Sequence, residues 1–334
     1  MEVDRTRVTE TAAAAFEAYG IGAADARLSA EVLVSADARG KHSHGLRRLP
    51  RFVRGIEADN VDPDGEIEVV EDDGATATLD GGSRLGPVVA SEAAVVAMDR
   101  ANEHGIGCVG VHGSNHLGML GYYTDELRRA GYVGIGMTNT EPAMPPHGGR
   151  EPILGTNPIA IGLPTDPPFN LDMSTAAIAR GTVEHRQAAG EPLPEGVALD
   201  ADGELTTDPA AALNGTIRPF GGTKGSGLAI AVEVLAGGLV GAAMGRRVTG
   251  TYHTDEPCTK GDLFVTIDPA AMGASDFDDR ASAFFERLRA SETATGVEAV
   301  QVPGERSIER DRTASTIEID PDLRERVRSL SGDR

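Results

Sequence analysis

Apolar residues recur at helical spacing over 4–19 and 24–39, and Gly20-Ile21-Gly22 separates the two runs, so the chain opens on two amphipathic helices. Alternation over 67–71 and 76–80 around Asp72-Asp73-Gly74 predicts a β-hairpin. A helical pattern returns over 87–104, and a short helix follows His116. Short apolar runs predict strands at 108–111, 132–137, 158–163, 168–172 and 262–267. The stretch 191–209 is rich in Pro, Gly and Asp and reads as irregular. The apolar run 228–244 reads as a buried helix and 281–290 as an amphipathic one. The charged tail reads as a return to the first helices. Strands interleaved with helices predict an α/β protein, and the expected fold is a mixed-sheet domain with a separate helical N-terminal region. The expected division puts 1–70, joined by the C-terminal return 306–334, on one side and 71–305 on the other.

The 334 residues suit one large domain or two to three small ones. A formal charge of −21 and a pI near 4.7 make nucleic acid and anionic membranes poor partners. Three lysines (Lys41, Lys224, Lys260) stand among many arginines, and tryptophan is absent, as expected of salt adaptation. Cys108 and Cys258 lie far apart and imply no disulfide framework. The N-terminus lacks an apolar signal core, and 228–244 contains Glu233 and three glycines, so a cytoplasmic location is expected.

Candidate chemistry concentrates between His112 and Pro164. Thr138, Asn139 and Thr140 follow one strand, and Gly155, Thr156 and Asn157 precede the next. Polar groups at strand ends suit a site, although the same residues also punctuate turns. The segment KHSHGLRRLPRFVRGI (41–56) reverses the charge of its surroundings. It reads either as a solvated basic loop or as a carboxylate-binding site with arginine supplying a two-pronged grip. If Pro50 opens a helical turn, Arg51 and Arg54 share a face.

Gly105-Ile106-Gly107-Cys108-Val109-Gly110 fits GxGxxG, but a helix precedes it and a strand follows, the reverse of the dinucleotide fingerprint. His112 and His116, four apart, read as sharing a helix face. With His42 and His44 they could build a zinc hydrolase, yet no HExxH or CxxC accompanies them and no metal is expected. In PFNLDMS, Asp172 and Ser174 suit ribose or phosphate oxygens, or a strand end and helix cap. The turn 220–227, with Lys224 and Gly225, lacks P-loop spacing but would aim backbone N–H groups and one cation at phosphate.

GSNHLG, GYVGIGMTNT and LGTNPIAIGLP, with Ser43-His44-Gly45 and Arg48-Leu49-Pro50, resemble the type-2 malate/L-lactate dehydrogenase family over about Ser43 to Glu305. That family also includes sulfolactate and ureidoglycolate dehydrogenases, diketogulonate reductases and cyclic imino-acid reductases. The resemblance implies a non-Rossmann NAD(P)-binding fold. It implies hydride transfer to or from C2 of a small 2-oxo or 2-hydroxy acid, with reduction of a cyclic imine as an alternative. His44 would move the proton, with His116, near nicotinamide and substrate, as the second candidate for that role, and Ser43 and Arg48 would hold substrate oxygens. NAD or NADP would be held by Thr140, Asn157, Asp172, Met173, Ser174, Lys224, Gly225, Pro303, Gly304 and Glu305. A homodimer with a shared site is also implied. The chain departs from the family pattern at Phe52 (often Tyr), Thr182 (usually Lys) and Val197 (commonly Trp).

Overall fold

The computed structural model describes residues 1–332; the last two residues of the expected C-terminal return lie outside them. In chain order the elements are β1 (Glu2–Asp4), α1 (Arg5–Glu17), α2 (Ala23–Ala38), α3 (Leu49–Glu57), β2 (Glu68–Asp73), β3 (Thr76–Asp80), α4 (Gly86–His104) and β4 (Ile106–His112). Next come α5 (Leu120–Arg129), β5 (Val133–Thr138), β6 (Ile159–Leu163), β7 (Phe169–Met173), α6 (Arg180–Ala189), β8 (Ala198–Leu199), β9 (Leu205–Thr206), α7 (Pro209–Asn214) and β10 (Thr216–Ile217). The chain ends with α8 (Thr223–Glu233), β11 (Asp262–Ile267), α9 (Phe277–Arg289), α10 (Glu305–Thr313), β12 (Thr316–Glu318) and α11 (Pro321–Leu330).

The main sheet runs β2-β3-β4-β11-β5-β6-β7. Only β3 and β4 are parallel; the other pairs are antiparallel. A doubly wound nucleotide fold needs a parallel sheet, so the GxGxxG match has no such context. Gly105 caps α4 at φ +82°, where any Cβ would be strained, and β4 begins at the next residue. Leu263 and Phe264 of β11 face opposite sides, as the pleat requires. Phe264 joins Val89, Ala93, Tyr123 and Leu127 of α4 and α5 in one core layer. Leu263 joins Val232, Ala236 and Val240 in another. A further core gathers α1, α2 and α3 against Ile317, Ile319 and Val327, and β12 returns to pair with β1.

Three expectations change. The run 228–244 is not a buried helix: α8 gives way to a π-turn at Val234–Gly238. Ala229, Val232 and Ala236 are buried, whereas Ile230 (46%), Val234 (52%) and Leu239 (64%) are exposed. A helix on one face of a sheet buries a single stripe, and a sequence apolar all round does not say which. The stretch 191–209 is not wholly irregular: β8 and β9 pair within a small sheet with β10, over a core containing Leu193, Ala198 and Ile217. His112 ends β4 while His116 lies in the following connection, so they share no helix face.

Candidate active site

The loop carrying Ser43, His44 and Arg48 consists of two 3₁₀ turns, His42–His44 and Leu46–Arg48, between α2 and α3. Asp37 holds it from beneath. Its carboxylate accepts the Leu46 N–H at 2.8 Å and meets His42 Nδ1 at 2.9 Å, which raises the His42 pKa. A Cβ on Gly45 would lie 2.4 Å from that carboxylate, so only glycine permits the approach. Ser43 Oγ lies 2.9 Å from His44 Nδ1. Arg48 donates from Nε to the Ser43 carbonyl (2.8 Å) and from Nη1 to the Thr251 carbonyl (3.3 Å).

His116 faces His44 with ring centroids 5.9 Å apart and meets Phe52 edge-on at 6.3 Å. The Gly118 N–H donates to His116 Nδ1 at 3.0 Å. That bond needs a lone pair on Nδ1, so the neutral ring carries its proton on Nε2. Asn115 pins the segment by donating to the carbonyls of Ser83 (2.7 Å) and Arg84 (3.0 Å). Burial, and then the Arg48 charge, lowers His44 to about 4; the same causes hold His116 well below the ordinary imidazole range. Burial, followed by the Arg51 charge, pulls Arg48 down to about 9. Arg48 remains charged at neutral pH, and no carboxylate pairs with it among the described residues.

The opposite rim is assembled because β11 lies between β4 and β5, which brings 251–262 beside 138–141. Thr251 Oγ1 accepts the Glu141 N–H at 3.2 Å, and Glu141 Oε1 accepts the Tyr252 N–H at 2.8 Å. Asn157 sits at φ +33°. Its Oδ1 accepts the Thr140 N–H (3.2 Å), and its Nδ2 donates to the Ala229 carbonyl (3.0 Å) and to Glu233 (2.6 Å). Glu233 also accepts from Asn139 Nδ2 (3.1 Å) and the Gly245 N–H (2.8 Å). Thr140 Oγ1 accepts the Thr156 N–H at 3.0 Å. A chain of hydrogen bonds and adjoining residues therefore runs from Arg48 through Thr251, Glu141, Thr140 and Asn157 to α8.

At the start of α8, Gly225 is buried, and a Cβ there would strike the Phe220 carbonyl at 2.1 Å. Lys224 is exposed. Among the described residues, none accepts a hydrogen bond from the N–H groups of Gly221, Gly222, Thr223 or Lys224. Unpaired N–H groups at a helix start beside an ammonium fit a pyrophosphate. Asp172 accepts from Lys41 Nζ at 2.8 Å, and its charge acts on His44. Asp172, Pro303 and Gly304 share a cavity of about 170 Å³ with Lys41 and Asn170. A Cβ on Gly304 would lie 2.4 Å from the Asn170 carbonyl. Met173 ends β7 opposite Ile159, and Ser174 precedes Thr175, whose N–H donates to the Thr156 carbonyl at 2.8 Å. Glu305 pairs with Arg289.

Sequence reasoning missed Asp37, Glu141, Glu233 and Tyr252 as parts of this site. Of these, Glu233 had the clearest signal: one carboxylate inside an apolar run. The zinc alternative required four imidazoles together. Instead, His42 is turned to Asp37 and His112 lies 3.8 Å from Asp80. Among the described residues, no group of three His, Cys, Asp or Glu is arranged to hold a metal, and no helix is long and apolar enough to cross a membrane.

A mixed-sheet fold, an imidazole beside a half-buried guanidinium with no carboxylate partner among the described residues, and a helix start that fits phosphate suit an NAD(P)-dependent oxidoreductase of 2-hydroxy acids. The family model described as malate/L-lactate dehydrogenase matches residues 3–328, and the chain belongs to that family. It is 44% identical over 307 residues to an L-sulfolactate dehydrogenase of Methanothermobacter thermautotrophicus, covering 90% of this chain and 88% of the relative. It is 35% identical to a (2R)-3-sulfolactate dehydrogenase (NADP(+)) of Chromohalobacter salexigens, covering 92% of each. Among solved structures, the sulfolactate dehydrogenase of Methanocaldococcus jannaschii superposes with a TM-score of 0.95 at 39% identity, covering 100% of this chain and 97% of that one. The chain transfers a hydride between NAD(P)H and C2 of a small 2-oxo or 2-hydroxy acid.

Proposed function

We propose that His44 moves the proton of this reaction, that Arg48 binds the substrate carboxylate, and that His116 donates a hydrogen bond from neutral Nε2 to the substrate oxygen. The observation that carries this reading is Arg48: a half-buried, charged guanidinium without a carboxylate partner among the described residues, on the same loop as His44. Such a group is stabilised when an anion arrives. When bound, NADH or NADPH would supply the hydride to C2 in reduction, and the oxidised cofactor would receive it in oxidation.

In oxidation, neutral His44 accepts the hydroxyl proton as C2 loses hydride; in reduction, protonated His44 gives that proton to the carbonyl oxygen. A neutral resting imidazole suits oxidation directly. The substrate carboxylate brings negative charge beside His44 and raises its proton affinity, which assists reduction. Ser43 keeps the ring aligned in both states because a hydroxyl can either donate or accept.

Thr140, Asn157, Asp172, Met173, Ser174, Lys224, Gly225, Pro303, Gly304 and Glu305 make up the cofactor side, with Lys224 and the N–H groups before it taking the pyrophosphate. Residues 1–70 with the C-terminal return form the substrate side, and 71–305 the cofactor side. The enzyme is a cytoplasmic, salt-adapted homodimer, in which Ile230 of α8 and the exposed Val234, Leu235 and Leu239 beyond it face a second copy. Sedimentation velocity would contradict the dimer by giving a monomer at micromolar concentration.

The test is a panel of pyruvate, oxaloacetate, sulfopyruvate and cyclic imines with NADH and NADPH, for wild type and His44→Ala. The reading predicts turnover of a 2-oxo acid by wild type only. Turnover confined to imines, or persisting in the variant, overturns it.

A further inference from the structure

Asp37 occupies the last turn of α2, with its side chain only 4% exposed. A carboxylate is disfavoured there on two counts: the helix presents its negative end, and burial penalises the charge. The last turn contains no basic residue, and Arg39, which caps the helix, is committed to Asp125 and Asp311. Among the described residues, the one cation paired with Asp37 is His42, at 2.9 Å. An acid kept in this position requires a local reason.

The reason lies in what the carboxylate holds. Oδ1 meets His42, which opens the 3₁₀ turn carrying Ser43 and His44. Oδ2 accepts the N–H of Leu46, which opens the turn carrying Arg48. Gly45, between the turns, abuts the face of the carboxylate: a Cβ there would lie 2.4 Å from Cγ and from both oxygens. The backbone bonds of the loop are local, from the N–H of His44 to Lys41, of Gly45 to His42 and of Arg48 to Gly45. Among the described residues, the hydrogen bonds that span the two turns are those through Asp37 and the one from Arg48 Nε to the Ser43 carbonyl. His42 itself is 51% exposed, so it exchanges its proton with water. The Asp37 hydrogen bond raises its proton affinity above the ordinary range, against partial burial. The Asp37 charge and Glu318 of β12 assist, and Arg47 of the loop opposes.

We infer that Asp37 and His42 are positioning residues of the reactive loop: their ion pair holds the Ser43–His44 turn against the Arg48 turn, and loss of the His42 proton slackens that hold. This rests on His44 and Arg48 acting together from the loop. Protonated His42 gives Asp37 a charge-assisted hydrogen bond. Neutral His42 gives an ordinary one and leaves the buried carboxylate without a counter-charge. The hold is complete below the ordinary histidine value of 6.5 and is lost as pH rises through the raised value of the folded state. Activity therefore declines on the alkaline side before Arg48, at about 9, loses its own charge.

The test reads kcat/KM for hydroxy-acid oxidation from about pH 6.5 to about pH 8.5, a span chosen for a histidine raised above its reference value. Wild type is expected to fall about 3- to 10-fold, the difference between a charge-assisted and a neutral hydrogen bond. His42→Gln, neutral throughout, should run level at the lower rate, and His42→Arg, charged throughout, level at the upper one. Asp37→Asn keeps an acceptor for Leu46 but no charge for His42, so it should also lose the decline. A part in folding alone would lower stability without shaping this profile. A wild type without the decline, or a decline that survives in His42→Gln with wild-type circular dichroism, overturns the inference.

If wild type oxidises no hydroxy acid, the proposed function fails. The positioning is then decided by hydrogen exchange of residues 42–48 over the same span, corrected for the intrinsic effect of pH. Protection that drops in wild type but not in His42→Gln or His42→Arg upholds it. Protection that is level in wild type, or that drops alike in all three, removes it.

Discussion

His44 and His116 face each other at 5.9 Å, but their Nδ1 atoms have different partners. His44 Nδ1 meets the Ser43 hydroxyl, which can donate or accept; His116 Nδ1 meets the Gly118 N–H, which can only donate. Protonating His116 at Nδ1 would set two N–H groups against each other, whereas His44 can gain and lose a proton with its bond intact. Two imidazoles with similarly lowered proton affinity are thereby suited to different work.

Both rings also make the fold sensitive to acid. His44 titrates at about 4 when folded and near 6.5 when unfolded. The unfolded chain therefore binds more protons between those values, and stability falls as pH drops from about 6.5 to about 4. His116 acts in the same direction, and His42, raised by Asp37, acts in the opposite one. Urea midpoints should fall from pH 7 to pH 5, and less steeply in His44→Gln. An equal slope in that variant would show that His44 is not depressed.

Lys224→Gln should raise the dissociation constant of NADH or NADPH about tenfold, as expected for one charge-assisted hydrogen bond. The turnover rate at saturating cofactor should change little. Nicotinamide fluorescence titration measures this, and an unchanged constant would remove Lys224 from the phosphate site.

Glu233 accepts three hydrogen bonds while almost fully buried. Glu233→Gln keeps the shape but turns one acceptor into a donor aimed at other donors. It should cost about 2–4 kcal/mol of stability. It should also loosen Asn157 and Thr140, raising the cofactor KM. Calorimetry showing no loss would mean that the network repacks around the amide.

Much of the fold was legible locally. Gly105 announced the end of α4, and the apolar run 262–267 is the strand β11. Ser43-His44-Gly45 and Arg48 stand together in sequence and on one loop between α2 and α3. What the sequence hid depends on topology. Nothing near Tyr252 says that β11 inserts between β4 and β5 and brings this ring over Arg51. Lys41 and Asp172 are 131 positions apart and meet only because α2 ends beside β7. The Leu228–Met244 run signalled burial but not the side, and β8 and β9 are too short for period-2 alternation to appear.

The most direct measurement is the pH dependence of kcat/KM for oxidation of the preferred hydroxy acid in wild type, His44→Gln and His116→Gln. Wild type should stay level from neutral pH down to about 5 and fall below it, as His44 becomes protonated near 4. His116→Gln should be slower yet keep that acid limb, and His44→Gln should be about 10²- to 10⁴-fold slower and lose it. If the limb survives in His44→Gln and vanishes in His116→Gln, the proton moves through His116 and the roles given to the two rings are reversed.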